Sequence, residues 1–413
     1  MPTRRKGAPL TDHARKTAPA WLLGLANLPL GVTGGVGLLT IPQLLAARHV
    51  PEPVIAQMTT LALLPTVGIF LLGPIVDVRF SRRTYAAIGT LLAAAATGVA
   101  VLEYDNLAVL GVAMFLALGG AAFNGLAIGG WFGSLLTKEE DRQLGAWMIV
   151  ANIGSFGLIT VAGVQLVRAL PLPLAAALLA GPNLAPLLLY AVTPAPGPDQ
   201  RLARESFSRF VADLTVLVRR PTVLQLLLLF AVPAASFALT NTLGGLGRDY
   251  GASERFVAIM GGAAVTAAGL LGSLVVPALA RRAPPRTLYI SVGVVGALFT
   301  LSLIALPHTP AVFALAIVGQ NVAQSAALAL NYIIALQSLG EDNPFAATQF
   351  GLIVSAAALP ITYMQLLDGH AYGGGGLTLM YATDGGLGLM ACLAMALLLR
   401  LWSSRRSTSA APA

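Results

Sequence analysis

Twelve stretches of roughly 20 mostly apolar residues recur along the 413-residue chain, and their recurrence limits the possible fold more than any motif does. A helix needs about 20 such residues to cross the hydrocarbon of a bilayer. A span must also satisfy its own backbone hydrogen bonds, so each stretch is expected to be a transmembrane helix. The first six are placed at 19–47, 53–76, 84–102, 107–137, 144–167 and 172–192, the second six at 222–246, 256–280, 287–306, 311–339, 345–367 and 377–402. With 56% apolar and only 10% charged residues, the chain lies outside the range of soluble domains. The expected class is an all-α integral membrane protein.

The basic residues say which way it faces. Twenty-one of the 25 Lys and Arg fall in alternate gaps and at the two ends of the chain, and only Arg48, Arg168, Arg248 and Arg255 fall in the other gaps. Bases accumulate on the cytoplasmic side, so both termini are expected there. The same placement argues against nucleic acid as the reason for 25 bases against 17 acids. The first 18 residues are polar and basic, and the run after them exceeds a signal-peptide core, which predicts an uncleaved first span. A lone Cys392 excludes an internal disulfide.

The chain also repeats itself. Residues 73–83 read GPIVDVRFSRR and residues 272–282 read GSLVVPALARR, so the leading glycines stand 199 residues apart, near half the length. A repeat in the same orientation is a parallel duplication of two six-helix bundles. The predicted halves are 1–192 and 222–413. Between them, 193–221 opens with TPAPGPDQ and continues with Phe207, Phe210, Leu214 and Leu217 at helical spacing, which predicts a linker and an amphipathic helix on the membrane surface.

The first of these turns, with Asp77, Arg79, Arg82 and Arg83, resembles the G-x-L-A-D-R-x-G-R-R/K loop motif of the major facilitator superfamily, with Val78 as an extra residue and Ser81 in place of a glycine. The resemblance implies a latch on the cytoplasmic side made by these four residues, with Arg281 and Arg282 in the matching turn. The other reading is a loop whose bases only orient the chain. NPFA followed by ATQFGLIVSA from Ala347, and GLANLPLGVTGG in the first span, are similar to segments of AmpG-like muropeptide permeases and their peptide, acetyl-CoA and siderophore transporting relatives. Those relatives carry Q-D-x-A-x-D-G-W in the fourth helix. Here Asn124 to Trp131 stand at that place, with Gly125 and Gly129 where the acids would be.

Ionisable residues inside a membrane are costly and point to function. Asp384 is the single acid placed well inside a predicted span, which makes it the candidate for proton coupling, with a solvated helix end as the plainer reading. On the tenth span Gln320, Gln324 and Asn331 fall within 40° of one another at 100° per residue. Amides cannot face lipid unsatisfied, so this stripe should face a cavity or another helix. Asn27, Asn124 and Trp131 are further candidates for substrate contact, although a Trp near a helix end can equally anchor the interface. Gln349 is a gating candidate.

No histidine pair has ligand spacing, and Gly373–Gly376 lacks the rest of a nucleotide motif, so no metal and no cofactor are expected. The resemblance implies alternating-access, proton-coupled import of a muropeptide-, peptide- or siderophore-like solute across a bacterial inner membrane. The expected partners are that small molecule and the lipid bilayer, with a monomeric chain, no nucleic acid and no enzymatic activity. A non-transporting sensor and an uncoupled facilitator on the same scaffold remain open at this point.

Overall fold

A computed structural model describes residues 18–77, 80–195, 212, 215–340 and 343–409. The first half contains α1 (Ala20–Ala47), α2 (Gln57–Asp77), α3 (Arg82–Leu102), α4 (Leu107–Phe132), α5 (Lys138–Ala169) and α6 (Leu172–Val192). The second half contains α7 (Pro221–Ala231), α8 (Arg255–Ala280), α9 (Pro285–Ala305) and α10 (Pro310–Leu339). A last stretch, Ala346–Trp402, covers 57 residues. As one straight helix it would reach about 85 Å, nearly three times the thickness of the hydrocarbon. The backbone instead leaves helical geometry at Gly375 (φ −154°, ψ 20°) and Gly376 (φ 62°, ψ −155°). The second of these is a conformation that glycine adopts without a side-chain penalty. The glycine run is therefore a hairpin tip between α11 (346–374) and α12 (377–409), and the chain makes twelve crossings.

Three expectations change. The seventh span is not one helix over 222–246: α7 stops at Ala231, and Val232 is extended (φ −90°, ψ 155°). Pro233 follows it, and a proline both disfavours helix in the residue before it and removes an N–H. The chain resumes as 3-10 turns at Ala238–Asn241 and Leu243–Tyr250. The fourth helix ends at Phe132 rather than 137, because Thr137 caps α5 in a capping box with Glu140. The fifth therefore starts at Lys138, with Glu139, Glu140 and Asp141 against the positive end of its dipole. Finally, α11 runs seven residues past its expected end at 367.

Large apolar side chains, among them Leu71, Leu158, Leu188, Val295 and Leu366, are exposed around the outside, where lipid would cover them. An even number of crossings brings both chain ends to one side. It is the side that carries Arg82, Lys138 and Arg281, hereafter the basic end. Phe207, Phe210 and Leu214 of the expected surface helix, like Arg79, lie outside the described residues. Leu217 is buried against Val223 and Phe345, so this part of the linker packs on protein.

Candidate functional site

The two halves touch along α5 with α8 and α10 and again at the basic end, where the acid of the first turn does a job the second half cannot do for itself. The helix α11 starts at Ala346, so its first N–H groups have no carbonyl one turn back. Phe345 precedes it and has no side-chain oxygen with which to cap them. Asp77, at the end of α2, supplies both oxygens: Oδ1 accepts from Ala347 N at 3.0 Å and Oδ2 from Thr348 N at 2.8 Å. The Thr348 hydroxyl adds a third bond to Oδ2 at 2.7 Å. Asp77 thus acts as an N-cap delivered from the other half, in the place where helix dipole and open donors both favour an anion.

Arg82 completes the closure. Its Nε and Nη2 donate to Asp77 Oδ1 at 3.1 and 2.9 Å. The rest of the fork reaches Gly130 O at 3.2 Å, Asn343 O at 3.2 Å and Pro344 O at 3.3 Å. The Asp77 side chain is 0% exposed and that of Arg82 17%. A buried ion pair is stable only when its remaining hydrogen-bonding capacity is filled, and here backbone groups of α4, α11 and the α10–α11 connection fill it. Gln349 braces that connection: its Oε1 accepts from Asn343 Nδ2 at 2.9 Å, and its Nε2 donates to Ser338 O at 2.8 Å. Glycines set the closeness of the contact. A Cβ at Gly73 would lie 2.6 Å from Thr348 Cα, one at Gly130 2.6 Å from Ala347 Cα, and one at Gly129 2.2 Å from the Phe350 ring.

Arg83 is half-buried, and neither it nor the exposed Arg281 and Arg282 has an ion pair among the described residues. The second turn thus does not reproduce the contacts of the first.

The polar residues within the spans divide into two groups. Asn124 is fully buried and used inside the first half: its Nδ2 donates to Ala26 O at 2.9 Å, and its Oδ1 accepts from Thr90 and Tyr190. Trp131 is likewise 0% exposed, donates from Nε1 to Pro194 O at 2.9 Å, and packs on Phe132 and Tyr190. Both tie helices together.

The second group lies on α1 and α10. Asn27 donates to Met148 O at 3.0 Å, its Oδ1 lies 3.5 Å from where a Cβ on Gly125 would be, and its side chain has the Tyr332 hydroxyl of α10 as a polar neighbour from the other half. Gln320 donates to Thr300 Oγ1 at 2.6 Å and leaves Oε1 unpaired. Asn331 has neither amide atom paired. Gln324 turns toward the broken seventh segment, donating to Thr240 Oγ1 at 2.6 Å. Most buried polar atoms in proteins are paired, so the open amide atoms of Gln320 and Asn331 are available for a further polar contact.

Asp384 lies near the start of α12 and is 7% exposed. Its neighbour is Asp368 of α11, 0% exposed and one residue beyond the expected end of the eleventh span. Hydropathy ended the eleventh span at 367. The signal that would have found Asp368 is the glycine run: counted outward from a hairpin tip at Gly375–Gly376, the two acids stand seven and eight residues away on facing helices.

The sequence model of the Major Facilitator Superfamily matches residues 23–362. No curated protein matches the chain. Among solved structures, the fold is similar to the human organic anion transporter MFSD10 (TETRAN), at 17% identity and a TM-score of 0.68, covering 91% of this chain and 98% of that one. It is similar to the proton:xylose symporter XylE bound to 6-bromo-6-deoxy-D-glucose, at 14% identity and 0.71, covering 91% and 94%. It is also similar to the fucose:proton symporter FucP of E. coli, at 14% and 0.69, covering 91% and 98%. Twelve crossings in two repeated halves, a family match over most of the length and these likenesses in fold agree: the chain belongs to the major facilitator superfamily.

Proposed function

We propose that this protein is a secondary transporter that moves a polar solute by alternating access between halves 1–192 and 222–413, joined by 193–221. The observation that carries the reading is the Asp77–Arg82 closure on α11. It joins the two halves through a few polar contacts at one end, the form a gate takes when it must open without dismantling either half. The basic end is the cytoplasmic side by the distribution of Lys and Arg, so the conformation described is closed to the cytoplasm. A bacterial homologue of ferroportin in an outward-facing state has a similar fold, at 17% identity and a TM-score of 0.63.

Solute contacts are assigned to Asn27, Gln320, Gln324 and Asn331, with Asn124 and Trp131 holding the helices behind them. Unpaired amide atoms suit hydroxyl, amide or carbonyl groups, which agrees with the peptide-, muropeptide- or siderophore-like cargo implied by the sequence resemblance. Two of the structural neighbours are sugar–proton symporters by name. Proton-driven import is the direction proposed, with Asp384 as the coupling carboxyl. The test is uptake by proteoliposomes from a panel of labelled muropeptides, siderophores and small peptides, with and without an imposed pH gradient. Accumulation that follows the gradient is expected. Equilibration without accumulation would replace coupling by facilitation, and no movement or exchange of any member would leave the sensor reading.

A further inference from the structure

The hairpin of α11 and α12 buries two acids against each other with no base between them. Asp368 and Asp384 lie about 10 and about 12 Å along their helices from the Gly375–Gly376 tip, at 1.5 Å per residue. Each is the principal charged neighbour of the other. Apart from each other, both oxygens of Asp368 and Oδ1 of Asp384 are buried without a hydrogen-bond partner.

The surroundings offer no positive charge to relieve the pair. Helix α10 carries no charged residue, and the single base of α9, Arg286, is at the far end of that helix. His370 is exposed and uses Nδ1 on Leu366 O. Toward the hairpin tip, Tyr381 shares its hydroxyl with Tyr250, Tyr372 donates to Asp249 at 2.7 Å, and His308 meets the Tyr250 ring edge-on. Arg248 adjoins Asp249 at the rim. Among the described residues no third His, Cys, Asp or Glu joins the two carboxyls in a group that could hold a metal ion.

Two ionised carboxylates are acceptors only and cannot bond to one another; a carboxylic acid can donate to a carboxylate. Like charges sharing a dry site cannot both ionise, as acid pairs in other proteins illustrate. We propose that Asp368 and Asp384 form one proton-binding site, a carboxylic acid hydrogen-bonded to a carboxylate, at the end of the second half opposite the basic end. The proposal rests on the transporter reading only for its purpose, and it extends that reading by giving Asp384 a partner. The site takes a proton in preference to a larger cation. Loss of the proton places two negative charges across the hairpin and drives α11 and α12 apart, which couples protonation to the shape of that end of the molecule.

The test reads the proton directly. Infrared difference spectra of the protein in lipid nanodiscs, recorded through a pH titration in choline chloride, should show a protonated carboxyl band that is lost as pH rises. Asp384→Asn and Asp368→Asn each replace the shared proton with an amide donor. Each should lower the proton affinity of the remaining acid at least tenfold, and the double variant should lack the band. Size-exclusion profiles in detergent check that the variants fold. Asp141 is a further buried acid, so the pair's band is the one the variants remove. Asp368→Glu or Asp384→Glu, expected to keep a shifted band, stands in where an Asn variant fails to fold. A wild-type protein without a titrating band, a band untouched in the variants, or a midpoint moved tenfold by replacing choline with sodium would each overturn the proposal. Because no solute is added, this result is separate from the uptake assay. A chain that moves nothing can still titrate here, and a chain that transports with a silent pair would refute the site alone.

Discussion

The turns at 73–83 and 272–282 begin with the same glycine and end with the same pair of arginines, yet they do different work. Gly73 lets α2 approach α11, in the other half: a Cβ there would fall 2.6 Å from Thr348 Cα. Gly272 lets α8 approach α10, in its own half, with a Cβ falling 2.2 Å from Val322 O. Where the first turn has Asp77, the second has Val276, buried to 1% exposure. The duplication kept the packing glycine in both copies, while the acid that reaches across to a helix end stands in one. Capping one helix end takes only one anion and one open N-terminus, so the second turn is free to serve packing.

That asymmetry can be tested, beginning with the largest effect. Asp77→Asn leaves Arg82 buried without its charge partner and weakens the cap on α11. Breaking a buried pair in this way costs on the order of 3 kcal/mol, which corresponds to a shift of roughly a hundredfold in the balance between closed and open basic ends. Fluorescence energy transfer across that end should report it.

The glycines come next. Adding a methyl group to a tight contact costs about 1–3 kcal/mol. In Gly73→Ala the cost falls on the closure, and the open form should gain while melting temperature changes little. In Gly272→Ala it falls within the second half, so melting temperature should drop and the closed fraction should stay. Equal behaviour of the two variants would contradict the division of roles. The smallest effect is expected from the double replacement of Arg281 and Arg282 by Ala. These exposed, unpaired bases should change stability by no more than about 0.5 kcal/mol, with insertion topology as the property most open to change.

Much of this was legible in residue order. Hydropathy located the crossings, spacing revealed the duplication, and the crowding of Asp77 with Arg82 in an apolar gap pointed to an interaction. The partners of Asp77 were not legible, because they are backbone N–H groups of Ala347 and Thr348, made available by geometry and not by residue type. The same limit applies to Asn124 and Trp131. A helical wheel places two residues on one face, but it does not say whether that face meets a cavity or α1, α3 and α6. Pro233 was visible and decisive for the seventh segment, where a continuous apolar run concealed the break. Asp368 was missed because a hydropathy window ends a span at its first charge, even when the helix continues and buries that charge against another.

The central claim is that the basic end opens and closes about the Asp77–Arg82 contact while the opposite end moves in the other sense. Spin labels at the exposed positions Thr84 and Thr287 report the basic end, and labels at Glu103 and Ala311 report the opposite end. Pulsed electron resonance should find a short basic-end distance in the wild type, which lengthens in Asp77→Asn as the opposite-end distance shortens. Two distances that stay the same in both proteins, or that lengthen together, would contradict the account.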